Sequence, residues 1–286
     1  IIRDVPHGVR FVRSSTNLVE QPKLDQIKNL LCQCDPELFN SRLEPFEQDR
    51  SAHLTEFDEK HTLPGFKFGV LYQDKKLDHN GNDFLAHQHG SKAFERFLDL
   101  MGERINLANF QGYSGGLDTS EATHSGKTSV YTRFRQHQII FHVSTMLPHC
   151  NNDVQHIAKK RHIGNDVVVI VFRDHEGNQQ QQQDLPFLAE SISSKFIHYF
   201  IVIEPIQHSP CPQYALSIAY RAGLDRTKFL YPSNILHPQG VVFEANTAFR
   251  QFLLITMINL EMEARHHFPS IQRIRKISLS NLISKN

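Results

Sequence analysis

The most regular apolar pattern in this chain lies in SKAFERFLDLMGERI, residues 91–105. Phe94, Phe97, Leu98, Met101 and Ile105 recur there at helical spacing. The spacing predicts an amphipathic helix over 91–105, with Ser91 placed to cap its first turn. ANTAFRQFLLITMINLEMEA (245–264) predicts a second helix, whose stripe of Phe249, Phe252, Leu253 and Met257 requires a partner surface. Leu24, Ile27, Leu30 and Leu31 predict a helix near the start, and SIQRIRKISLSNLIS (270–284) a further helical stretch near the end. Strand patterns differ in kind. FKFGVLYQ (66–73), TSVYTRF (128–134), HQIIFHVSTML (137–147), FIHYFIVIE (196–204) and YALSIAY (214–220) are short and rich in β-branched and aromatic residues, and GVRFVRSS (8–15) alternates weakly. VVVIVF (167–172) is apolar without a break, the pattern of a central strand covered on both faces. Strands and helices interleave, which predicts an α/β domain, and no internal repeat is visible.

Loops follow from the punctuation. FDEKHTLPG (57–65) breaks regular structure at Pro64 and Gly65, and QGYSGGLD (111–118) reads as a turn built on Gly115 and Gly116, with Asp118 as a local cap. EGNQQQQQD (176–184) is a low-complexity polar loop, expected to be removable at little cost because shortening a long loop changes its closure entropy only slightly. NNDVQHIAKKRHIG (151–164) starts on good N-cap residues and ends on Gly164, a good residue just past a helix. Its apolar face of Val154, Ile157, Ala158 and Ile163 is thin, so much of this helix should be exposed. It delivers Lys159, Lys160, Arg161 and His162 to a Gly164-Asn165-Asp166 corner directly before the buried strand.

Bulk properties narrow the function classes. The chain has 286 residues, enough for one large or two modest domains, and a net charge of +1 that supplies no general attraction to nucleic acid. No apolar run reaches the roughly 20 residues of a membrane span. Cys32, Cys34, Cys150 and Cys211 form no zinc or disulfide framework and read as free thiols of a reducing compartment. The 18 histidines are scattered without metal-ligand spacing, so neither a metal nor a cofactor is expected. The chain starts at Ile1 and reads as a piece of a longer protein, whose targeting signals would lie outside it.

KFGVLY, FLDLMGERINL, GYSGGLDT, SVYT, IIFHVSTMLP, KKRHIGNDVVVIVF and FRQFLL occur in this order. The chain thereby resembles the Rap GTPase-activating proteins from about Phe57 to about Ile258. Tuberin and the Ral-directed activators share parts of the pattern. The resemblance implies a catalytic domain with a Ras-like α/β arrangement over 65–242 and a smaller α+β flanking domain over 1–64, completed by the helices of 243–286 and used for homodimerisation. It implies a cytoplasmic activator whose partner is a Rap-type small GTPase in its GTP-bound form. Such an activator has no GTPase activity of its own; accordingly the chain lacks a Gly-x-x-x-x-Gly-Lys-Ser/Thr loop. The family uses no arginine finger and inserts an asparagine carboxamide beside the γ-phosphate to position the attacking water. By motif match that residue is Asn165.

A carboxamide both accepts and donates, whereas arginine only donates, so the chemistry suits an oriented water. Asn165 also reads as a plain C-cap residue. The resemblance makes His162 and Lys67 contact or positioning residues, and Lys160 and Arg161 docking charges for an acidic surface. Lys159 stands where the family commonly has arginine, which keeps the charge and loses the bidentate fork. Helical spacing would place Lys159, His162 and Asn165 on one ridge. His142 and Ser144 lie on one side of a strand without a nucleophile elbow and read as core hydrogen-bonding residues. Two other functions fit the same residues: a scaffold that binds small GTPases without catalysis, and an activator of Ral or Rheb.

Overall fold

The computed structural model describes residues 4–5, 8–9, 65–74, 83–122, 124–149, 153, 155–174, 194, 196–206, 211–220 and 241–267. The chain divides into two compact units, one of Leu63–Ala264 and one of Ile1–Thr62 with Arg265–Asn286. In the smaller unit, strand β1 (Asp4–Val5) pairs antiparallel with β2 (Gly8–Val9). The expected helices at 24–31 and 270–284, the glutamine loop at 178–183, and Cys32, Cys34 and Cys150 lie outside the described residues.

The larger unit is built on an eight-stranded sheet. Its strands are β3 (Phe66–Asp74), β4 (Glu103–Asn106), β5 (Thr128–Phe134), β6 (His137–Val143), β7 (Val168–Asp174), β8 (Tyr199–Ile206), β9 (Gln213–Tyr220) and β10 (Val241–Glu244), in the order β10-β9-β8-β7-β3-β6-β5-β4. The central strands β8, β7, β3 and β6 are mutually parallel, and the outer pairs are antiparallel. Burial matches this arrangement. Every residue of β7 is buried, whereas β9 near the edge buries Tyr214, Leu216 and Ile218 and leaves the residues between them partly open.

Alternation along β7 divides its side chains between two cores. Phe172 faces helix α1 (Lys92–Met101), where its ring lies 5.3 Å from both Phe94 and Phe97. Val169 and Val171 join the opposite core with Leu71, Ile140, Ile163 and Phe200. Ser91 caps α1 as expected, its hydroxyl accepting the Phe94 N–H at 3.1 Å. The helix is shorter than its periodicity suggests. Gly102 turns extended, and a side chain there would collide with the Tyr131 carbonyl of β5. Ile105 therefore belongs to β4, opposite Ser129. Short strands β4 and β10 carry too few residues for a pattern and were not expected.

Helix α3 (Thr247–His267) buries Phe249, Leu253, Leu254, Met257, Leu260 and Ala264. The Phe249 ring lies 5.5 Å from Tyr214 of β9, and Arg250 Nε donates to the Met101 carbonyl at 3.3 Å. The partner surface its stripe requires is thus the sheet with the end of α1. As far as Ala264 this helix shares a compact unit with the sheet.

Phe172→Ala should lower the unfolding free energy by about 3–5 kcal/mol, the cost of a large core cavity. Urea denaturation measures it, and a loss below about 1 kcal/mol would contradict this packing.

Candidate functional site

The site begins with a seven-residue helix, α2 (Ile157–Ile163), which returns the chain from β6 to β7. It starts later than its N-cap residues predict, yet Asp153 still caps it: Oδ2 accepts the Ala158 N–H at 3.1 Å. Bonds from the Ile157 and Ala158 N–H groups lower the Asp153 pKa. His156 enters the helix at φ 51°, a left-handed conformation uncommon for a residue with a side chain.

The last carbonyls of a helix have no partners within it. Here all five are paired. Lys160 O accepts from Gly164 N at 2.9 Å, His162 O from Asn165 N at 3.1 Å and Ile163 O from Asp166 N at 3.1 Å. Gly164 O accepts from the Ser194 hydroxyl at 2.6 Å. Arg161 O accepts from the Asn165 side chain, Nδ2, at 2.7 Å. Gly164 itself is right-handed (φ −66°), so its glycine is not explained by a left-handed cap; a side chain there would crowd the Lys160 carbonyl. These bonds tie the helix end into the corner, with the Asn165 side chain exposed at its tip.

Asp166, the next residue, is completely buried and holds the corner down. Its Oδ2 lies 2.9 Å from His142 Nδ1 of β6. Its Oδ1 lies 3.4 Å from the Lys67 ammonium, on a side chain 27% exposed. Gly69 of β3 leaves room for this carboxylate, since an added Cβ would stand 3.2 Å from Oδ2. The cluster continues outward. The His162 ring meets His142 edge to face at 5.5 Å, and its Nε2 lies 3.3 Å from the buried Ser125 hydroxyl. Burial first, and then the neighbouring His142, lower the His162 pKa from its ordinary value.

A loop closes the cluster from the side. Gly115 (φ +63°) brings its backbone so close that an added Cβ would stand 3.0 Å from Lys67 Cβ and 3.3 Å from His142 Nε2. Asp118 pins the loop as the turn chemistry predicts: its carboxylate accepts the Ser120 and His124 N–H groups, each at 2.9 Å, and the Ser120 hydroxyl first, then these two bonds, hold its pKa at about 2. Ser125 Oγ accepts the Asp118 N–H at 2.9 Å, so one hydroxyl ties this loop to His162.

The predicted residues fall into three groups. Asn165, Lys160 and Arg161 share the exposed side of α2. His162 and Lys67 sit half-buried or at the rim beneath them. Lys159 does not join this ridge. It is 1% exposed, and its ammonium donates to the Leu85 and His87 carbonyls at 2.8 and 2.9 Å. At seven residues α2 has one face against the sheet, and Lys159 falls on it with Ile163. Asp166 and Ser125 escaped the sequence reading; the adjacency of Asp166 to Asn165 was their only local signal. His142 and Ser144 are buried and hydrogen-bonded as read, Ser144 Oγ accepting the Tyr72 N–H at 3.4 Å. Phe196, 51% exposed, follows two residues after the Ser194 that binds Gly164.

Burial lowers the Lys159 pKa from 10.5 to about 8. A lysine easier to deprotonate folded than unfolded costs the fold most below pH 8, and that cost is relieved as pH rises toward 10.5. Relative to Lys159→Met, the parent should therefore gain up to about 3 kcal/mol across this window. Paired urea titrations at pH 7.5 and 10 measure it; a stability difference independent of pH would contradict the assignment.

The Rap/ran-GAP family matches residues 84–278 of this chain. The chain is 36% identical over 214 residues to human signal-induced proliferation-associated 1-like protein 2, a match covering 75% of this chain and 12% of that protein. It is 33% identical over 283 residues to chicken GTPase-activating Rap/Ran-GAP domain-like protein 3, covering 97% of this chain and 29% of that protein. It thus spans less than a third of either relative. A solved structure of the TSC2 GAP domain is similar at a TM-score of 0.56 and 26% identity, over 70% of this chain and 96% of that one. The match takes in α2, the corner that carries Asn165 and every strand of the sheet except β3, and this chain belongs to the Rap/ran-GAP family.

Proposed function

We propose that this chain is a GTPase-activating domain that acts in trans, in the cytoplasm, on a Rap-type small GTPase in its GTP-bound form. The observation that carries the reading is the exposed Asn165 carboxamide on a corner whose helix-end carbonyls are paired and which is anchored by buried Asp166. Membership of the Rap/ran-GAP family supports it.

GTP hydrolysis requires an oriented water and stabilised charge more than covalent help from protein. Asn165 uses one amide hydrogen on the Arg161 carbonyl. Its oxygen can accept from the attacking water while its second amide hydrogen donates to an oxygen of the phosphate. Lys160, Arg161 and Phe196 form the docking face around it; Lys67 and His162 hold the corner from beneath and meet the partner with their exposed parts. Lys159 supports the helix from inside.

The order of the central parallel strands supports a Ras-like arrangement. Phosphate-binding loops open helices, but Gly126-Lys127-Thr128 leads into strand β5, which supports a chain that holds no nucleotide of its own. The unit of Ile1–Thr62 with Arg265–Asn286 is proposed as the flanking domain for homodimerisation.

Single-turnover hydrolysis by a GTP-loaded Rap protein tests the reading. Asn165→Ala should slow the accelerated rate by about two to three orders of magnitude, the scale for removing one preorganised transition-state contact. Stability should change by about 1 kcal/mol or less, because only one exposed hydrogen bond is lost. Binding to the GTP-loaded partner should survive within a few-fold. A variant that melts normally and accelerates hydrolysis like its parent would refute the role of Asn165.

A further inference from the structure

The exposed side of α2 does not end at its cations. Three large apolar side chains among the described residues stand out into solvent, and the most exposed, at 55%, is Ile157 at the first position of this helix. Ile157, Arg161 and Asn165 are four apart, so they share one stripe. Lys159 and Ile163 occupy the opposite, buried side. From sequence Ile157 belongs to the thin apolar face; the structure turns it outward.

Ile157 is also firmly held. Its backbone N–H bonds to the Asp153 carboxylate. The turn before it is closed by His156 N donating to Asp153 O at 3.0 Å, and the His156 ring lies 5.8 Å from His149. A β-branched residue in a helix has few rotamers to lose. An exposed, rigid, branched apolar group costs little entropy to bury, which is what a contact anchor requires.

Geometry fixes the occupant. Eight residues of helix rise about 12 Å, which sets the distance from Ile157 to Asn165. A standard interface covers about 800 Å² on each partner, a disc of roughly 16 Å radius. A protein seated with its nucleotide at Asn165 therefore covers Ile157. We infer that Ile157 is an apolar anchor for the GTP-loaded small GTPase, which meets an apolar patch of that partner beside acidic groups facing Lys160 and Arg161. The inference rests on the proposed function and adds a residue that sets affinity for the partner and leaves the chemical step to Asn165.

The test compares the parent, Ile157→Ser, Ile157→Leu and Asn165→Ala. Each is measured for melting, for affinity to a Rap protein loaded with a non-hydrolysable GTP analogue, and for KM and kcat of accelerated hydrolysis. Ile157→Ser should melt like the parent, bind about tenfold more weakly (about 1.4 kcal/mol) and raise KM to match. Its kcat at saturation should stay within about twofold. Ile157→Leu should restore most of the affinity. Parental affinity in Ile157→Ser overturns the inference while leaving the proposed function intact, and so does a loss confined to kcat. If Ile157→Ser melts low, Ile157→Leu decides: parental melting and affinity in that variant support the anchor, and lost affinity with parental melting overturns it. A parent that neither binds nor accelerates overturns the proposed function, and the anchor with it.

Discussion

The buried carboxylate of Asp166 is the constraint around which this site is arranged. It is wholly inside the protein, between His142 at 2.9 Å and Lys67 at 3.4 Å. A buried charge without partners is expensive, and removing one partner of such a group costs about 3–5 kcal/mol. The penalty makes the arrangement specific. Asp166 is satisfied only when β6, β3 and the turn before β7 stand in their native register. That register sets Gly69 beside both His142 and Val169, and the missing side chain of Gly69 leaves the space the carboxylate fills. Because Asp166 follows Asn165 directly, the interaction that fixes the core corner also fixes the base of the exposed carboxamide.

The location of the corner suits action on another protein's nucleotide. Open α/β sheets hold their own ligands at the carboxyl ends of parallel strands. Lys67 and Asp166 stand at the amino ends of β3 and β7, the opposite edge. A helix also presents its partially negative end there, which repels phosphate. Lys160 and Arg161 in the last turn of α2 offset that potential, and the paired carbonyls leave few acceptors facing outward. What the edge offers a partner is an apolar and basic helix side with one neutral amide at its tip.

The central strands were legible because burial on both faces leaves a continuous apolar run, as in VVVIVF. Helix α1 was legible because its cap and stripe agree, but its end was not. At that end Gly102 passes so close to the carbonyl of Tyr131, far away in sequence, that a side chain would not fit. The same limit governs the site. Asn165 is singled out by a local run of residues. The buried partners of Asp166 come from β3 and β6, and no local pattern announces them. Lys159 shows the opposite failure. Its charge and spacing read as surface, yet two carbonyls from the turn at 85–87 draw it inside. Ile157 counts as core by composition and is outside by geometry. Spacing along seven residues is too short a record to settle which way a helix faces.

The central claim is that Asp166 holds Asn165 in position for the nucleotide of a bound partner. Its most direct measurement is a structure of this chain with a GDP-loaded Rap protein carrying a planar mimic of the transferring phosphoryl group. The account predicts the Asn165 carboxamide at about 3 Å, hydrogen-bond distance, from the water in line with that group, with the Lys67–Asp166–His142 contacts kept as they are in the free chain. A complex in which another residue orients the water, or in which the partner docks away from α2, would contradict it.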